Sequence, residues 1–204
     1  MTMPPHNASF SLRRFAVAAF CTLVLTAPLI HATRTLAGAS IWNSTNHPKT
    51  VRQPNLIILK SKRIVYLFDG DVLVRSYGCD LGSDPLGDKR RVGDGKTPLG
   101  LFHIVSKNYD SPYRHFLGLD YPHRPAVAEG IATGLISEGA ATSILNALHE
   151  SRCPDWSTAL GGGIGIHGHR QGRDWTGGCI AVSNRAIDEL FNLLRIGDPV
   201  EILP

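Results

Sequence analysis

The chain has 204 residues, 43% of them hydrophobic, with 21 Lys or Arg against 17 Asp or Glu and a formal charge of +4. That length suits one folded domain behind a leader and leaves no room for a second core of ordinary size. The mild positive charge suits an anionic wall polymer or a membrane surface, but it is too small to single out a partner, and nucleic acid is not expected. Gly (21) and Pro (13) are frequent enough to predict many turns, hence strands more than long helices.

The N-terminus reads as an export signal. Arg13 and Arg14 precede an uncharged apolar run over 15–30, and the small residues Ala37-Gly38-Ala39 follow. Basic, apolar and small in that order is a secretory leader, with cleavage expected after Ala39. The alternative is an uncleaved anchor, because the run reaches membrane-spanning length once His31 and Ala32 are counted. The Arg pair hints at twin-arginine export, although Phe15 follows it directly, and Phe20 before Cys21 breaks any lipoprotein box. Residues 1–39 are thus a signal peptide or N-terminal anchor, 40–54 a polar linker, and 55–204 the folded domain. An exported chain belongs in the periplasm or cell envelope. With Cys21 in the leader, the mature chain keeps Cys79, Cys153 and Cys179. That odd number leaves at least one free thiol, and Cys79 with Cys153 is a conceivable pair.

Within the domain, 56–59 is a short apolar run, and Lys60-Ser61-Lys62 breaks it. In the next run Ile64, Tyr66 and Phe68 share one face, with Val65 and Leu67 on the other. Asp69-Gly70 is a hairpin signal, and 72–77 forms the third strand of a meander. Residues 81–100 form a long loop rich in Gly, Pro and charge, and 101–105 is a further strand. The spacing of Ala141, Ile144, Leu145 and Leu148 predicts a helix over 138–150. After the flexible 161–163, residues 164–166 alternate as a strand. Ile187, Leu190, Phe191 and Leu194 mark a helix over 185–194, with Asn184 as its cap, and 200–203 is the last strand.

The residues that carry chemistry are concentrated in Ile164-Gly165-Ile166-His167-Gly168-His169 and Thr176-Gly177-Gly178-Cys179-Ile180-Ala181-Val182-Ser183-Asn184. A thiol attacks as thiolate, and an imidazole beside it can take the proton. A strand ending at His167 and a turn presenting Cys179 would bring the two groups together. Gly177 and Gly178 let a substrate approach the backbone, where N–H groups around Gly178 and Cys179 would hold an oxyanion. By themselves a Cys and a His at this separation are unremarkable, and a buried Cys is commonly inert packing. The pair His167 and His169 with Cys179 would alternatively suit zinc, since alternate strand residues share a face.

These segments resemble the active-site signature of the L,D-transpeptidase (YkuD-type) catalytic domain family: His-Gly, a short spacer, then Ser/Thr-x-Gly-Cys. The match is to the short-spacer subgroup ending Thr-x-Gly-Cys-Ile-Ala-Val-x-Asn, which includes hydrolase-like members that release wall-attached proteins. Tyr77-Gly78-Cys79-Asp80-Leu81-Gly82, Gly93-Asp94-Gly95-Lys96-Thr97-Pro98-Leu99-Gly100, Ser111-Pro112-Tyr113, Leu119-Asp120-Tyr121-Pro122 and Gly197-Asp198-Pro199-Val200-Glu201-Ile202 resemble further family segments in the same order. The resemblance implies a mainly β, L,D-transpeptidase-like β-sandwich with a few short helices. It also implies acyl transfer on peptidoglycan stem peptides through a Cys179 thioester, in wall cross-linking, remodelling, cell shape or the attachment of wall proteins. Cys179 is then the nucleophile and His167 the proton carrier. Gly168, Gly177, Gly178 and Thr176 shape or support the site, His169 borders it, and no cofactor or metal is needed.

Two departures bear on the reaction. Gly177 stands where many members have His, and Ala181 where many have Arg. The missing Arg puts cross-linking in question, leaving hydrolysis at the same Cys-His site, or a non-catalytic wall-binding module, as alternatives. Arg170 and Arg173 in the spacer are candidates to replace it by binding a stem-peptide carboxylate. Asp94, Lys96 and Thr97 are expected to shape turns. Trp156, Trp175 and the remaining histidines are expected to pack or face solvent, with His123 the first of those histidines to test.

Overall fold

The computed structural model describes residues 51–204. The expected leader and most of the linker lie outside the described residues. In chain order the elements are β1 (Pro54–Leu59), a 3-10 turn (Lys60–Lys62), β2 (Ile64–Asp69), β3 (Val72–Asp80), β4 (Gly100–Ser111), β5 (Arg114–Leu119), α1 (Arg124–Ala132), α2 (Glu138–His149), β6 (Gly165–His167), β7 (Ile180–Val182), α3 (Asn184–Leu193) and β8 (Pro199–Leu203).

The fold is mainly β with short helices, as expected, but the edges of its two sheets are joined. β3 pairs with β2 along most of its length and then with β7 at Cys79 and Asp80. β4 pairs with β8 over 100–103 and with β5 beyond that. Because β1 and β8 also pair, in parallel, the strands close in the order β1-β2-β3-β7-β6-β5-β4-β8. Two strands long enough to serve both sheets make this closure possible.

The core follows the alternation in the sequence. Val65 and Leu67 of β2 are fully buried, while Ile64 and Tyr66 on the opposite face are half-buried. The tight turn after β2 uses Gly70 at φ 59, where a side chain would be strained. Ile187, Leu190, Phe191 and Leu194 all bury one face of α3 against β5 and β6, at about 1.5–3 kcal/mol per large side chain. In α2 the buried stripe is Ala141, Ile144 and Ala147, and Leu145 and Leu148 lie at its margin.

Several elements differ from expectation. Ser183, not Asn184, caps α3: its hydroxyl accepts the Ala186 N–H at 3.2 Å. The strand after the long loop runs on to Ser111, because Lys107, Asn108 and Asp110 hide its period behind polar side chains. Strands β5 and β7 and helix α1 carry patterns too short or too weakly amphipathic to read. Cys79 is buried at the end of β3 and Cys153 is exposed after α2; both are free thiols, so the conceivable pair does not form. Among the described residues no helix is long and apolar enough to cross a membrane.

Candidate active site

The two candidate side chains lie at the end of β6 and immediately before its parallel neighbour β7. Ile166 pairs with Ile180 and His167 with Ala181. One residue back, that register sets Gly165 beside Cys179, and the Gly165 backbone hydrogen-bonds the Cys179 sulfur. Cys179 and His167 therefore leave the sheet on the same face, on adjacent strands and two residues out of step. Strand geometry puts their α-carbons roughly 8 Å apart, within reach of an imidazole and a thiol. Their neighbours Ile166 and Ile180 point the other way into the core and are fully buried.

The histidine side is held from outside its own segment. Three successive N–H groups after His167 are engaged: Gly168 donates to the Tyr113 carbonyl at 2.9 Å, His169 to Asn184 Oδ1 at 2.9 Å, and Arg170 to the Val182 carbonyl at 3.1 Å. His167 itself is 2% exposed, with Nδ1 at 2.8 Å from the Gly168 carbonyl. A carbonyl can only accept, so Nδ1 carries the proton and Nε2 is left as the basic nitrogen. Tyr113 stacks on the imidazole, with ring centroids 4.8 Å apart, and Trp175 meets it edge-on at 5.9 Å.

The cysteine side is anchored at Thr176, whose N–H donates to the Leu81 carbonyl at 3.2 Å and whose carbonyl accepts the Ser83 N–H at 2.9 Å, and is then held by its own turn. The Thr176 hydroxyl donates to the Cys179 carbonyl at 2.7 Å and accepts the Gly178 N–H at 3.1 Å. Gly178 sits at φ 136, and a β-carbon there would lie 2.6 Å from the Lys96 carbonyl oxygen. A β-carbon on Gly82 would in turn run into the Gly95 carbonyl, so the back of the turn is glycine packed on glycine. The expected oxyanion donors are corrected in part. The Gly178 N–H is already taken by Thr176, which leaves the Cys179 N–H open among the described residues.

Burial favours the neutral form of both groups. Burial pushes the Cys179 thiol up to about 11, against the opposing pull of the Gly165 hydrogen bond and the Lys89 charge. Burial also lowers His167, a trend that the Gly168 hydrogen bond opposes and His169 reinforces. The thiol meanwhile donates to the Gly163 carbonyl at 3.3 Å. Burial of this kind disfavours a preformed thiolate–imidazolium pair in the ligand-free site.

The other expected residues are distributed unevenly. Gly168 lies so close to Asn184 Oδ1 and the Tyr113 carbonyl that a β-carbon would come within 2.6 Å and 2.8 Å of them. Gly177 is exposed, with nothing within 4 Å of the position a β-carbon would take. His169 is exposed and left-handed at φ 62, so strand alternation ends at His167, and the expected shared face of the two histidines does not exist. Among the described residues no three His, Cys, Asp or Glu side chains converge as metal ligands. Arg170 pairs with the buried Asp80 at 3.2 Å, and the other oxygen of Asp80 accepts the Gln171 and Gly172 N–H groups. Arg170 thereby pins the spacer, while Arg173 is exposed. Asp94 accepts the N–H groups of Arg90, Arg91 and Lys96 and pairs with Lys89 at 2.7 Å, and Thr97 accepts the Gly82 N–H, so these are turn-formers as expected. His123 packs on Phe102 at 4.7 Å. Trp156 lies against Gly162 and Gly163, beside the carbonyl that holds the thiol. Sequence reasoning missed Asp80 and Asn184 as tethers of the spacer and the histidine turn, although both lie within the quoted segments.

This is a cysteine-histidine site on two short parallel strands of a closed β fold, with His167 at the end of one and Cys179 just before the start of the other. Residues 54–202 match the YkuD model, the L,D-transpeptidase catalytic domain, and the chain belongs to that family. No curated protein matches it. Among solved structures it is similar to an L,D-transpeptidase from Xylanimonas cellulosilytica, with 16% identity, a TM-score of 0.46, and 76% of this chain and 63% of that one covered. It is similar to one from Mycobacterium smegmatis, with 11% identity, a TM-score of 0.44, and coverage of 74% and 59%. It is also similar to the helical cell shape determining protein Pgp2 of Campylobacter jejuni, with 21% identity, a TM-score of 0.47, and coverage of 74% and 48%. The chain thus spans between about half and two thirds of the length of these structures.

Proposed function

We propose that this chain is an exported cysteine acyltransferase of the cell envelope, acting on peptidoglycan stem peptides as an L,D-transpeptidase. The observation that carries the reading is the register of β6 and β7. It sets Cys179 and His167 on one face, with Nδ1 of His167 committed to a carbonyl and Nε2 free to take a proton. Cys179 Sγ attacks the carbonyl of the diamino acid that precedes D-Ala, and its proton passes to Nε2. The Cys179 N–H stabilises the oxyanion. The C–N bond then breaks, His167 returns the proton to the departing D-Ala amine, and a thioester remains on Cys179. The amine of a second stem peptide or of a wall-attached protein loses its proton to His167, attacks the thioester and frees the thiol.

One observation favours water as a second acceptor. Ala181 is fully buried and Arg170 is committed to Asp80, so neither supplies the fixed cation that many members place beside the site. A defined tetrapeptide muropeptide in heavy-oxygen water tests both readings. Cross-linked dimers without label indicate transfer to an amine, and labelled tripeptide indicates hydrolysis. Cys179→Ala is expected to lower turnover by at least about 10⁴-fold and to abolish the covalent acyl mass on the protein. Undiminished conversion by that variant would remove the thiol from the reaction.

A further inference from the structure

The Gly168–His169 peptide bond is held at both ends by side chains. Its N–H donates to Asn184 Oδ1 at 2.9 Å, and its carbonyl accepts from His167 Nδ1 at 2.8 Å. In a trans peptide these two groups point in opposite directions, so a partner that fixes one fixes the other. We propose that Asn184 is a positioning residue for His167: its carboxamide oxygen sets the peptide plane whose carbonyl selects the imidazole tautomer. The proposal rests on the reading of His167 as the proton carrier.

Four further features fit this role. Gly168 has no β-carbon, and one there would lie 2.6 Å from Asn184 Oδ1, so the close approach of the carboxamide depends on glycine at that position. His169 adopts a left-handed conformation at φ 62, which is strained for a non-glycine residue, and the turn keeps it while its N–H faces Asn184. Asn184 is also free for this task, because Ser183 caps α3. As the first helical residue it needs no side-chain bond to its own helix. The hydrogen bonds also run in one direction, from imidazole N–H to carbonyl and from the same peptide's N–H to carboxamide, so each polarises the next.

The peptide has competing conformations. With Asn184 truncated, the Gly168–His169 unit loses its outer partner and can rotate. The Gly168 carbonyl then no longer has to face Nδ1, and the imidazole can take the tautomer with hydrogen on Nε2. That form has no lone pair toward the thiol. Loss of such an outer partner of a functional histidine typically lowers activity by about 10- to 100-fold.

The test uses the full chain with nitrogen-15 histidine, read by NMR above the titration of His167, together with muropeptide turnover. Wild type is expected to carry the proton on Nδ1. Asn184→Ala is expected to populate the Nε2–H tautomer and lower kcat about 10- to 100-fold with KM little changed. Asn184→Asp, which keeps an acceptor oxygen in the same place, is expected to restore the wild-type tautomer and return kcat to within several-fold. It should also move the acid limb of the pH profile upward, because a carboxylate favours the imidazolium. An unchanged tautomer with unchanged kcat in a folded Asn184→Ala overturns the proposal. If the alanine variant does not fold, a folded Asn184→Asp that lacks the Nδ1–H tautomer overturns it instead. A shifted tautomer with full turnover upholds the hold of Asn184 on the imidazole, and the reading of His167 as base fails in its place.

Discussion

The two halves of the site differ in how much of their hold is local. The histidine turn, 167–170, is held by groups from far along the chain: Tyr113 before β5, Val182 in β7 and Asn184 at the start of α3. The cysteine turn, 176–179, is anchored at its first residue by a parallel bridge to 81–83, and beyond that by one threonine hydroxyl that bonds two of its own backbone groups and by the close packing of glycines behind it. A base must be oriented in tautomer and ring plane, which takes partners on several sides. A nucleophile on a one-carbon side chain needs mainly a fixed backbone, and a tight local turn provides that.

The contrast between Gly178 and Gly177 is the sharpest way to probe the cysteine turn. Gly178→Ala places a β-carbon against the Lys96 carbonyl at a φ that side chains avoid, so a loss of at least about 2 kcal/mol in unfolding free energy is expected. The displaced thiol is expected to lower turnover about 100-fold. Gly177→Ala meets open space and should stay within about 0.5 kcal/mol of wild type. Denaturant melts of the two variants side by side check this, and equal losses would mean that the turn is not held by packing.

Thr176→Val probes the same turn by chemistry rather than sterics. The shape is kept, but the Gly178 N–H and the Cys179 carbonyl lose their partner in a buried place, which should cost about 1–3 kcal/mol. Alkylation of Cys179 by iodoacetamide should then become faster at a given pH, since a loosened turn admits water to the thiol. Unchanged stability would show that water replaces the hydroxyl without penalty.

The smallest effect concerns pH on the histidine side. The proposed mechanism needs neutral His167, and burial holds its pKa below the ordinary 6.5. Activity is therefore expected to persist below pH 6.5 and to fall only as the imidazole becomes charged. His169 contributes to that lowering, so His169→Ala should move the acid limb slightly upward while leaving kcat on the plateau within a few-fold. A pH–rate profile of both proteins decides it: an acid limb above 6.5 in wild type would mean that an imidazolium is stabilised in the site after all.

The legibility of the chain follows the same division. Cys179, Thr176 and Gly178 are readable because a turn is written in consecutive residues, and a glycine or a threonine there has few other uses. The stripe of α3 is readable because helical period survives in ten residues, whereas β7, with three residues, has no period to show. Asn184 is visible as a residue but reads as the helix cap, since local reading gives a polar side chain before a helix to that helix. Its bond runs instead to His169, on the opposite side of the catalytic spacer.

Sequence alone established the family resemblance, the nucleophile and base candidates, the core-facing alternation of β2 and the buried face of α3, all of which depend on neighbours within a few positions. Tertiary structure decided the rest. Closure of the sheets depends on β3 and β4 each pairing on both sides of a bend. The protonation of the site depends on how deeply strand ends are buried, and residue types do not encode depth. The orientation of His167 depends on one peptide plane, fixed from one side by its own ring and from the other by a helix that begins beyond the nucleophile.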